Sequence, residues 1–160
     1  MTQRTLTVSL AEAQEWYNSD DNALKEIALK LFSKTELQVI NIKTLIKATL
    51  SANTFGKLKI SSRDKQFLID MLNLDEIESG RNWLRAYAIY CNAGWEKDYK
   101  EQGYFLTLDY LLGQDKYYWN VRHHSSVKYP GIVYFKREHD AEKALEALKL
   151  LNKLDDLYNL

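Results

Sequence analysis

Apolar positions along this chain recur first at the helical period and later in alternation, and the change comes after Gly94. Ser9 and Glu12 have the spacing of a capping box, in which two side chains reciprocally satisfy free backbone donors. They predict a helix running to about Tyr17. The polar cluster from Asn18 to Asn22 ends that helix and caps another over residues 23–32. There Leu24, Ile27, Ala28 and Leu31 fall on one face and are expected to pack into the core. Ser33 and Glu36 repeat the capping-box spacing and predict a third helix to about Leu50. Residues 51–62 read as a linker, with a short strand where Leu58 and Ile60 alternate with Lys57 and Lys59. Ser62 is expected to cap a helix carrying Phe67, Leu68, Met71 and Leu72. A further helix over residues 79–93 carries Trp83, Leu84, Tyr87, Ala88 and Cys91, and Gly94 stands where a left-handed terminator belongs.

Beyond Gly94, runs rich in β-branched and aromatic residues alternate with turn residues. Tyr104 to Asp109, Tyr117 to His123 and Ile132 to Lys136 are expected as three strands, with a turn at Gly113, Gln114 and Asp115. An amphipathic helix capped by Asp140 follows, with its stripe running from Ala141 through Leu148 to Leu154. The expected fold class is α+β: a helical N-terminal half, a small antiparallel three-stranded sheet in the C-terminal half, and a closing C-terminal helix. Residues 1–60 are expected as a helical subdomain and residues 61–160 as an α+β subdomain, within what could be a single domain.

Composition narrows the class without naming a reaction. The chain has 160 residues, 46% hydrophobic and 28% charged, so it can bury a sizeable core without a disulfide or metal staple. Cys91 is the single cysteine, which excludes an intramolecular disulfide and a multi-cysteine zinc site. Its place among apolar helix positions marks it as a buried, unreactive thiol. No run resembles a secretion signal or a membrane span, so a cytoplasmic protein without membrane contact is expected. No cofactor and no metal is implied.

The zero net charge, from 22 basic and 22 acidic residues, hides a local asymmetry. Residues 116–137 hold five cations, no acid and six aromatic rings, while residues 96–115 hold five acids against two lysines. Cations beside rings suit single-stranded nucleic acid, charge serving phosphate and π-faces serving bases. In the strand at 117–122, Tyr117, Trp119 and Val121 share one face, expected to meet a helix. Tyr118, Asn120 and Arg122 share the other, where Tyr118 and Arg122 are expected to meet a ligand, and Lys128 and Arg137 extend that rim. These four are the candidate binding residues, and the partner is expected to be a protein or single-stranded nucleic acid. The favoured reading is a non-catalytic binding module. The alternative is a small hydrolase-type enzyme or metal-binding protein with a site near Asp109, His123 and His124.

Two resemblances bear on these readings. The run Tyr129-Pro130-Gly131-Ile132-Val133-Tyr134-Phe135 with Asp140-Ala141-Glu142-Lys143-Ala144 resembles the third strand and second helix of an RNA-recognition motif. The base-stacking positions fall on Pro130 and Ile132, which do not stack bases, so RNA binding is not carried over. Leu10-Ala11-Glu12-Ala13-Gln14-Glu15-Trp16-Tyr17-Asn18-Ser19, followed by Leu24 to Leu29 and Phe32 to Leu37, resembles uncharacterised prophage and mobile-element proteins of gut bacteria related to Bacteroides. Asn92-Ala93-Gly94-Trp95 and the segment Phe135 to Ala141 extend that likeness. It implies an accessory role in a mobile element and no catalytic residue.

Overall fold

A computed structural model describes residues 7–157, apart from the side chain of Thr35. The chain forms two compact units, one reaching Asn41 and the other beginning at Ile42.

The first unit holds α1 (Leu10–Asn18), α2 (Asn22–Leu31) and α3 (Lys34–Gln38). Both capping boxes form: Ser9 with Glu12 opens α1, and Ser33 with Glu36 opens α3. Asp21 caps α2 by accepting from the backbone N–H groups of Ala23 and Leu24. Ala13, Ala28 and Leu37 form the buried centre, with Val8, Trp16, Tyr17 and Phe32 packed around it. The Gln14 amide donates to the carbonyls of Glu36 and Val39, both at 2.9 Å, tying α1 to the end of α3.

Two expectations fail in this unit. The helix expected from Ser33 to Leu50 is broken after Gln38, and a separate helix starts at Ile42. The expected core face of α2 is buried only at Ala28, since Ile27 is 43% and Leu31 52% exposed. Three short helices offer one small contact area, and a narrow alanine sits at its centre while the larger flanking residues fall outside it.

The second unit holds α4 (Ile42–Thr54), α5 (Ser62–Leu72), α6 (Gly80–Asn92), β1 (Gly103–Leu111), β2 (Lys116–His124) and α7 (Glu138–Leu150), then a 3-10 turn at Leu154–Asp156. Helix α6 is central: it packs against α4, α5 and α7. It buries Trp83, Leu84, Tyr87 and Ala88, with the Trp83 and Tyr87 rings 5.2 Å apart. Ser61, one residue before the expected Ser62, caps α5, and Ser79 caps α6. Helix α7 packs against both strands. It begins at Glu138 without a side-chain cap, and the expected cap Asp140 is instead a buried first-turn residue. The possible strand at 58–60 does not form.

The sheet corrects the expected fold class: it has two strands, not three. β1 and β2 pair antiparallel without a bulge, from Gly103 opposite His124 to Leu111 opposite Lys116. The segment expected as a third strand touches β1 at one bridge, Tyr104 with Phe135, closed by two hydrogen bonds of 2.9 and 2.7 Å. The Asn92 side chain binds the opposite edge of this segment, the one turned away from β1. Its amide donates to the Tyr134 carbonyl at 2.8 Å and accepts from the Lys136 N–H at 2.9 Å. One side chain at the end of α6 thus takes a donor and an acceptor that a strand would otherwise have to satisfy. The helical N-terminal part and the closing helix stand as expected.

Candidate functional site

The second unit carries an open groove of about 610 Å³, within the size range of small-ligand sites. Its floor is one face of α6: Arg81, Arg85, Ala88, Ile89 and Asn92 all line it. These positions follow the helical repeat, so the floor runs about 16 Å at 1.5 Å per residue. One wall is the start of α5 with Ile60, Ser61, Arg63 and Asp64. The other is the chain from Lys128 to Tyr134, and Gly94 to Lys97 close one end.

Five cations line the groove, Arg63, Arg81, Arg85, Lys97 and Lys128, against the acids Asp64 and Glu96. They divide into structural and available charges. Arg85 pairs with Asp64 at 3.1 Å and lies over the Phe67 ring, 4.0 Å from its centroid. Lys97 is buried, donates to the carbonyls of Asp98 and Glu101, and stands 5.6 Å from the centre of the Tyr134 ring. Arg63, Arg81 and Lys128 are in no ion pair among the described residues. Arg81 makes one long hydrogen bond, 3.4 Å, to the Gly131 carbonyl. These three cations come from three separate segments and are exposed. With five cations against two acids, the groove lining carries net positive charge and attracts anions.

The candidate residues from the sequence are scattered. Only Lys128 lines the groove. Arg122 is held at 2.9 Å by Asp109, which also accepts from Asn120 at 3.1 Å. Arg137 is held at 2.8 Å by Asp140. Tyr118 is exposed opposite Asp109 on the hairpin. Opposite residues of a sheet share a face, so the row of Tyr118 and Arg122 continues to Phe105. That row, expected to point outward, is buried at its base: the Phe105 ring lies 4.3 Å from His124 and 5.7 Å from Tyr134. Tyr117, expected against a helix, is exposed, whereas Trp119 and Val121 are half-buried.

The histidines do not converge with Asp109. Asp109 pairs with Tyr118 and His124 with Gly103, six positions apart along β1, a separation of about 20 Å. His123 points to the other face from His124. Its ring meets Tyr104, while the His124 ring meets Phe105, Tyr129 and Tyr134. Among the described residues no three His, Cys, Asp or Glu side chains are grouped as a metal site.

Cys91 is half-buried rather than fully buried. Burial pushes its thiol up from 9.0 to about 11, and burial likewise raises the Tyr87 hydroxyl beside it. Between pH 9 and 11 the unfolded thiol loses its proton while the folded one keeps it. The folded state then binds more protons, so stability falls as pH rises through this window. Urea unfolding at steps across it should show the decline, and Cys91→Ala should make it shallower. At neutral pH the native thiol should label slowly with iodoacetamide, because the thiolate is the reactive species. Labelling as fast as a free cysteine would contradict this assignment.

No family model, curated protein or solved structure matches the chain. No helix among the described residues is long and apolar enough to cross a membrane. The groove residues on α5 and α6 were not singled out from the sequence. Their cations are spread over distant stretches, and only the helical repeat of Arg81, Arg85 and Asn92 hinted at a shared face.

Proposed function

We propose that this protein is a non-catalytic binding module, a cytoplasmic accessory protein that holds an anionic ligand in the groove along α6. The observation that carries the reading is the set Arg63, Arg81 and Lys128, brought from three segments to one groove without an ion-pair partner among the described residues. Long, exposed cations are cheap to keep in water, so their presence alone says little. Their convergence around a groove that also presents apolar residues, Ile60, Ile89, Ile132 and Val133, is the stronger sign. The sheet face draws less support, because Asp109 already neutralises Arg122. An enzyme centred on Asp109 and the histidines draws less still, since these groups lie at opposite ends of the hairpin. An accessory role in a mobile element fits such a module.

Fluorescence anisotropy with labelled anionic probes tests this: single-stranded DNA, single-stranded RNA and an acidic peptide, each at low and moderate salt. At least one should bind and weaken with salt, and the double variant Arg81→Glu, Lys128→Glu should abolish that binding while remaining folded by circular dichroism. If no probe binds at low salt, or the double variant binds as well as the parent, the proposal fails.

A further inference from the structure

Resting on the reading of the groove as an anion site, we infer that its ligand is a short stretch of single-stranded nucleic acid lying along α6. The groove is elongated and open along one side of a helix, which suits an extended chain better than a compact ion. Its lining combines charge with apolar surface. Free cations at Arg81, Arg63 and Lys128 share it with the apolar residues Ile89, Ile132 and Val133 and with Trp95. A nucleic-acid strand presents the same combination, charged phosphates beside flat apolar bases. Two of the three free cations are arginines, whose planar forks match phosphate oxygens two at a time.

Free acceptors in the groove suit a base-bearing strand, whose bases carry amino donors that an acidic side chain lacks. Glu96 lines the groove and is in no ion pair among the described residues. Asn82 lines it too, and its side-chain amide makes no hydrogen bond among the described residues, the Ser79 hydroxyl accepting from its backbone N–H. Carboxylate and amide oxygens accept from the exocyclic amino groups of bases. The N-terminus of α5 opens on the same wall, adding positive field where a phosphate would lie.

Three cations meeting phosphates set the salt dependence. Each phosphate neutralised on a single strand contributes a slope of about −0.7 in log affinity against log salt, so the parent should show about −2. Affinity should then fall about a hundredfold for a tenfold rise in salt. Each of Arg63→Ala, Arg81→Ala and Lys128→Ala should reduce the slope by about 0.7. These side chains are exposed, so the variants should fold.

Anisotropy titrations with four probes of equal charge decide the matter: a mixed-sequence single strand of DNA, the same strand in RNA, an abasic strand and a poly-glutamate peptide. The inference expects one or both base-bearing strands to bind about tenfold or more tighter than the abasic strand, as stacking of even one base allows. Equal binding of abasic and base-bearing strands would overturn it, as would preference for the peptide. Either result would leave the groove an anion site, whereas silence from all four probes would remove both readings together.

Discussion

Replacing Phe135 by alanine is expected to destabilise the protein by about 3–5 kcal/mol, the range for deleting a fully buried phenylalanine ring. Phe135 is 0% exposed, although it lies in a segment with a single sheet bridge. Its ring is 6.1 Å from Tyr87, the middle of the central helix, and its backbone exchanges two hydrogen bonds with Tyr104 at the base of β1. The residue therefore fastens the 129–136 chain to both α6 and the hairpin. The cost has two parts, the lost transfer of the ring from water and the cavity left between elements that cannot fully close. Urea unfolding checks it, with Leu112→Ala as the reference change. Leu112 is 88% exposed at the hairpin turn, and its removal should shift stability by no more than about 0.5 kcal/mol. A similar small change for Phe135→Ala would mean that the segment is held by its backbone and Asn92 alone.

Local signals in the sequence were legible, and non-local ones were not. The capping boxes at Ser9 and Ser33 need only residues three apart, and both form. The hairpin of β1 and β2 was readable because both strands and their turn lie within one short stretch. By contrast, the alternation around Ile132 to Lys136 had the right residues for a strand, yet it meets β1 at a single bridge, and its other edge is held by Asn92, more than forty positions away. The stripe on α2 showed a period but not how wide a surface would cover it, and burial contracted to Ala28. The same limit applies to the groove. Lys128 stood out within a basic stretch, but its value as a site residue depends on Arg63 and Arg81, whose nearness follows only from how α5 and α6 pack. Charge in the basic segment is also offset by acids of the segments flanking it, Asp109 for Arg122 and Asp140 for Arg137.

Gly94→Ala is expected to cost about 2–4 kcal/mol, from a strained backbone and a steric clash acting together. Gly94 follows the left-handed Ala93 at the end of α6 and has φ of 89°, a region that residues with a Cβ rarely adopt. A Cβ there would lie 2.3 Å from the Lys59 carbonyl oxygen, which is backbone and cannot swing aside. Relief would have to come from moving residues 59–60 or the 93–95 turn, and Ile60, Gly94 and Trp95 all line the groove. Stability and binding should therefore fall together in this variant. Gly113→Ala provides the contrast, since nothing lies within 4 Å of a Cβ placed at that position. It should be neutral to within about 0.5 kcal/mol. Thermal or urea unfolding of the two variants side by side gives the comparison. If Gly94→Ala unfolds with Gly113→Ala, the close approach of the α6 terminus to Lys59 is not a constraint on the fold, and the groove end it forms is free to move.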